Sequence, residues 1–216
     1  MHAMTETTIT AEELQAAEYF HGHKCPAMPQ GLRAGHVAMD WLGVPRARGG
    51  GELVAIIETG SHHFSGCFAD GVMFATGCTF GKGNLIQNPL GKFALTLYVP
   101  KSHQAVRLIP HYERMSQCLT MDFFKLRAQG IPPFDLDPKM TEPLIRDVLT
   151  KPWTEIFALQ EFEDYPFDPV PDVFEAVQCS LCHELTVKSY AQQFHHQWYC
   201  KPCLDGIIHA RLAPTV

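Results

Sequence analysis

At 216 residues, with 46% hydrophobic and 19% charged side chains, the chain has the composition of a globular protein with one sizeable core and room for a small appendage. A formal net charge of -6 supplies no general attraction to nucleic acid or to an anionic membrane. No apolar run approaches the ~20 residues that a spanning helix needs, and the polar, acidic start "MHAMTETTITAEE" is no secretory signal, so a cytoplasmic protein is expected.

Thr10-Ala11-Glu12-Glu13 reads as a capping box and predicts a helix from about Ala11 to Phe20. The stretch "HGHKCPAMPQG", His21 to Gly31, then falls where the helix gives way to a loop. A second helix is expected from Pro29 to Leu42, ended by Gly43. After Gly49-Gly50-Gly51, "ELVAIIET" has the β-branched content of a buried strand. "FADGVMFATG" reads as a short helix weakened by Gly71.

In "KFALTLYV", Phe93, Leu95, Leu97 and Val99 alternate with Ala94, Thr96 and Tyr98, the pattern of a half-buried strand, and "QAVRLIP" is expected to pair beside it. "HYERMSQCLTMDFFKLRAQG" reads as one amphipathic helix closed by Gly130, "EPLIRDVLT" as a short helix and "EIFALQEFE" as a strand. This order indicates an α/β or α+β layer with helices over a mixed sheet. A stretch rich in proline, aspartate and aromatics divides the chain into an N-terminal domain over residues 1–163, a linker over 164–175 and a C-terminal unit over 176–216. There is no internal repeat.

Eight cysteines in a chain expected in a reducing compartment argue for metal or thiol chemistry over disulfides. Cys25, Cys67, Cys78 and Cys118 are scattered through the first part; Cys179, Cys182, Cys200 and Cys203 cluster near the end. The late group is the sharper signal. Two Cys-x2-Cys pairs enclosing 17 residues match a tetrahedral zinc site of the zinc-ribbon or treble-clef kind. This stretch is poor in apolar residues, so metal binding, typically about 10–16 kcal/mol, has to stabilise it. "LDGIIHARL" reads as a helix leaving the second pair. His183, His195 and His196 are further donors, but four cysteines suffice.

The early group is looser. His21, His23 and Cys25 alternate, so an extended backbone brings all three to one side. "SHHFSGCFAD" adds His62, His63, Cys67 and Asp70, and "TGCTFGKGNL" adds Cys78 and Lys82. A second metal centre made by His21, His23 and Cys25 and completed by Cys67 or Cys78 is one reading. Packed thiols beside satisfied histidines are the other. The glycines of "GKGN" lack the rest of a Walker phosphate loop.

"FHGHKCPAMPQGLRAG", "AIIET", "CFADGV" and "TGCTFGKGNL…GKFALTLY" together resemble the E-subunit family of formylmethanofuran dehydrogenase, in its two-domain form with a C-terminal zinc finger, from about Tyr19 to Asp205. The resemblance implies a thioredoxin-like α+β domain with a mixed sheet, a zinc-binding C-terminal domain and a homodimer whose domains interlock. It also implies a protein partner such as an oxidoreductase, because relatives sit beside genes for the molybdenum enzyme of methanogenesis. It carries over His21, His23, Cys25 and Cys67 as metal-site residues, and Asp70, Cys78 and Lys82 as catalytic candidates. The chain departs from the family at Ala27, where a glycine is usual, and in the extra residues "GSHHFSG", which put His62 and His63 beside the site.

Three functions compete. The first is an enzyme or accessory protein whose N-terminal zinc acts as a Lewis acid, or whose Cys78, ahead of Lys82, is a low-pKa thiol. The second handles metal or haem, since Cys25-Pro26 resembles a haem-regulatory dipeptide and imidazole with thiolate ligates haem iron. The third is a zinc-finger adaptor with a small-ligand site. Lys188, Lys201 and Arg211 are too few for a nucleic-acid surface.

Overall fold

Thr10 holds an extended backbone and its hydroxyl accepts the Glu13 amide at 3.1 Å, which starts helix α1 (Ala11–His21). In the computed structural model, which describes residues 8–60, 63–168 and 173–212, Gly22 closes that helix in the left-handed region at φ 93°. Helix α2 (Ala27–Leu42) follows and ends at Gly43, also left-handed. It begins two residues before the expected Pro29. Every residue from Met28 to Met39 except His36 is buried, so α2 is a central helix and not a surface one.

Strand β1 (Val54–Ile57) leads into helix α3 (His63–Thr76), which is longer than the weak helix expected there. Its Gly71 is a contact residue, not a flaw. A Cβ at Gly71 would lie 2.0 Å from the Met28 carbonyl oxygen, and one at Gly31 would lie 1.9 Å from that of Phe68. Gly35 likewise leaves space for Ala75, whose Cβ would be 2.6 Å away. The contacts advance in the same sense along both helices, so α2 and α3 run parallel with their backbones touching.

Strands β2 (Leu85–Gln87), β3 (Leu95–Val99), β4 (Gln104–Pro110) and β5 (Phe157–Phe162) complete a five-stranded sheet of order β2-β1-β3-β4-β5. β1 and β2 are parallel, joined through α3; the other pairs are antiparallel. Ala55, Ile57, Leu95, Leu97, Val106 and Leu108 face the core shared with α2 and α3. The chain is an α+β protein with a mixed sheet.

Three expectations change. β3 is buried on both faces, because Tyr165 and Phe167, read in sequence as linker, pack with Phe162 over Val54, Ile56 and Tyr98. The single helix over 111–130 is two, α4 (Tyr112–Leu119) and α5 (Asp122–Ala128). The Thr120 hydroxyl donates to the Gln117 carbonyl at 2.7 Å, and Met121 is extended, which breaks the helix. After α6 (Glu142–Thr150), a turn of helix α7 (Trp153–Ile156) holds residues expected to begin β5.

The chain divides into units over residues 1–167 and 168–216. The second holds two antiparallel hairpins, β6 (Ala176–Gln178) with β7 (Leu185–Val187) and β8 (Ala191–Phe194) with β9 (Gln197–Cys200), then helix α8 (Lys201–Leu212). His195 and His196 form the β8–β9 turn at φ 48° and 64°, a conformation two-residue hairpins demand.

Replacing Gly71 with Ala drives a methyl group into the α2 backbone and is expected to cost about 3 kcal/mol. Gly66→Ala, at an α3 position with open space among the described residues, is expected to be neutral or to gain up to about 1 kcal/mol. Urea denaturation of the two variants checks this; equal midpoints would contradict the tight contact.

Candidate metal centre

His21 is the last residue of α1, and the left-handed Gly22 turns the chain so that His23 and Cys25 fold back beside it. The convergence comes from a helix end, where the sequence suggested an extended run. Cys67 enters from the first turns of α3. One donor atom from each of His21, His23, Cys25 and Cys67 lies within 4.8 Å of all the others. The Nε2 atoms of His21 and His23 are 3.3 Å apart, Cys25 Sγ is 3.5 Å from His21 Nε2, and Cys67 Sγ is 3.9 Å from His23 Nε2. A tetrahedral ion with metal–nitrogen bonds of about 2.0–2.1 Å and metal–sulfur bonds of about 2.3 Å has N···N edges of about 3.3 Å and N···S edges of about 3.6 Å. The four side chains therefore already stand at the corners of a metal site.

Asp70, one turn after Cys67 on α3, completes the arrangement. Its Oδ2 is 2.7 Å from His21 Nδ1, which leaves His21 Nε2 to face the other donors. A carboxylate on the far nitrogen fixes the tautomer and the ring plane of a metal-binding histidine.

The metal-free electrostatics show four groups competing for protons. Burial lowers His21, but the Asp70 hydrogen bond and the neighbouring Cys67 outweigh it and raise the imidazole to about 9. Burial, with His21 beside it, pushes His23 down. The hydrogen bond from Cys67 lowers Cys25 against burial, helped by the Met28 and Ala27 amides at the start of α2. Cys67 is raised by Cys25 and by burial. Two thiolates and two neutral imidazoles would leave a bound divalent ion with no net charge.

The second unit assembles a simpler cluster. Cys179 and Cys182 lie in the knuckle between β6 and β7, Cys200 ends β9, and Cys203 sits in the first turn of α8. Their sulfurs all lie within 4.8 Å of one another, with Cys182 and Cys200 at 3.9 Å. The Cys182 amide, with those of Cys200 and Leu181, brings Cys179 down to about 6, whereas Cys200 pushes Cys203 up to about 12. His183, His195 and His196, considered as alternative donors, have left-handed backbones at turns and are outside this set.

The structure leaves Cys78 and Lys82 away from the early cluster. The Cys78 thiol is fully buried, donates to the Leu53 carbonyl at 3.6 Å and is raised by desolvation, which makes it a packed thiol and not the low-pKa nucleophile expected. Lys82 Nζ donates to the Ala47 carbonyl at 3.5 Å. His62 and the side chain of His63 lie outside the described residues.

Sequence reasoning missed the cavity beside His23, Cys25 and Cys67. Its volume is about 460 Å³, and Leu119, Phe123, Phe124, Arg127 and Pro133 line it. The i, i+4 spacing of Phe123 and Arg127 marks one face of α5, but nothing in the sequence says which surface that face meets.

Residues 20–158 match the family described as FmdE, Molybdenum formylmethanofuran dehydrogenase operon. A curated relative from Archaeoglobus fulgidus, a probable S-adenosyl-L-methionine-binding protein, is 32% identical over 198 residues. The match covers 86% of this chain and 51% of the relative, so the chain spans about half of that protein's length. A solved structure from Syntrophus aciditrophicus, an FmdE-like protein of tungsten formylmethanofuran dehydrogenase, has a TM-score of 0.58 at 24% identity. It covers 99% of this chain and 100% of its own, and shares the fold.

In metal-free protein, His21 is expected to titrate near pH 9, and Asp70→Asn to bring it down. The raised value means that the His21–Asp70 pair contributes stability fully below about pH 6.5 and loses it as pH rises through about 9. Imidazole NMR titration of both proteins checks this; identical curves would remove the role given to Asp70.

Proposed function

The chain belongs to the FmdE family, and we propose that this metal-binding member holds two zinc ions with different tasks. His21, His23, Cys25 and Cys67 hold one at the wall of a ligand cavity. Cys179, Cys182, Cys200 and Cys203 hold the other and stabilise the second unit. The observation that carries the proposal is the tetrahedral spacing of two nitrogen and two sulfur donors from separate helices. Mixed imidazole and thiolate ligation suits zinc over harder ions.

A filled tetrahedron leaves no coordination position for water, which favours a small-molecule-binding or accessory role over Lewis-acid catalysis. The zinc then locks α1, α2 and α3 around the cavity. S-adenosyl-L-methionine, carried in the name of the Archaeoglobus relative, is a ligand to titrate against it. A partner oxidoreductase accords with the family's operon description. Haem fits less well. The four donors crowd into one tetrahedron, whereas a porphyrin iron takes its axial ligands from opposite faces. All eight cysteines are free, which accords with a reducing cytoplasm, and no described helix is long and apolar enough to cross a membrane.

Elemental analysis of the purified full chain is expected to give two zinc ions per chain. Cys25→Ala should retain one and keep the second unit folded. Cys200→Ser should also retain one, but lose protease resistance from Val173 onward. Two zinc ions in Cys25→Ala, or one in the wild type, would overturn the N-terminal assignment.

A further inference from the structure

We propose that the cavity over the His21–His23–Cys25–Cys67 cluster binds an organic monocarboxylate with an apolar body, its carboxylate paired with Arg127. The walls argue for the body. Leu119, Phe123, Phe124, Pro26, Ala27 and Pro133 present hydrocarbon and aromatic rings, and a volume of about 460 Å³ is that of a small-molecule site.

The charges argue for the carboxylate. The proposal rests on reading the cluster as a divalent metal centre, because two thiolates and two neutral imidazoles then cancel the ion's charge. Arg127 is left as the one permanently charged side chain among the described lining residues. The other ionic side chains of α5, Asp122 and Lys125, pair with each other at 2.9 Å. The Arg127 guanidinium donates to the Ile131 carbonyl through Nη1, which anchors it to the loop after α5. That bond uses one of five N–H donors, and the planar group matches a carboxylate through two parallel bonds. Burying a carboxylate among apolar walls is costly without such a partner and favourable with one. An uncharged ligand of the same shape would leave Arg127 unmatched.

The probes are 4-phenylbutyrate and the uncharged 4-phenylbutan-1-ol, titrated calorimetrically into zinc-loaded full-length protein at neutral pH. The acid is expected to bind about tenfold or more tightly than the alcohol. Arg127→Met should remove that preference while leaving alcohol binding unchanged. Arg127→Lys, which keeps the charge, should retain a preference for the acid; this variant decides the matter if Arg127→Met loses its fold by circular dichroism. Equal binding of acid and alcohol to the wild type, no binding of either, or a preference that survives in folded Arg127→Met would overturn the proposal. Zinc content measured on the same samples separates the two readings. One zinc ion per wild-type chain overturns the metal reading, whereas two zinc ions without acid preference overturn this inference alone.

Discussion

The backbone contact between α2 and α3 is the constraint on which the rest of the first unit depends. Gly31 and Gly71 lie where any side chain would strike a backbone carbonyl of the facing helix. Two helices can approach this closely only where neither carries a Cβ at the crossing. The approach places the start of α2 against the first turns of α3, and with it Cys25 against Cys67. It also buries α2 against the sheet, where Met28, Leu32 and Val37 meet Leu95 and Leu97. The core and the donor cluster thus share one cause.

α3 divides its residues between two tasks by helical geometry. Phe68 and Gly71 face α2, while Cys67 and Asp70 face the histidines. The i, i+3 spacing of Cys67 and Asp70 puts a donor and the carboxylate that orients its neighbour on one stripe. Helices fixed by packing hold donors in place before any ion arrives, so less conformational entropy is lost on binding. The second unit differs. Its hairpins are short and its strands half exposed, so four thiolates around an ion take the place of a core.

Much of this was legible in the sequence where local rules act. Thr10 and Gly43 mark helix ends because capping is a matter of a few neighbouring atoms. The four late cysteines declare themselves by spacing, because both pairs form tight knuckles. Readings failed where distant chain decided. β3 alternates like a half-exposed strand, yet Tyr165 and Phe167 cover its second face. Gly71 looks like a helix defect until Met28 is set against it. Cys67 and Cys78 are equally plausible donors in one dimension, and only the helix packing brings Cys67 to the histidines and leaves Cys78 under Leu53. Arg127 carried no signal at all, since a cationic helix residue is ordinary until a cavity is found beneath it.

The central claim is that helix packing brings two imidazoles and two thiolates around one ion. X-ray absorption at the zinc edge of the Cys200→Ser variant, which retains only the N-terminal centre, tests it most directly. The account predicts two sulfur scatterers at about 2.3 Å and two nitrogen scatterers at about 2.0–2.1 Å. A shell of four sulfurs, or one of nitrogen and oxygen without sulfur, would contradict it.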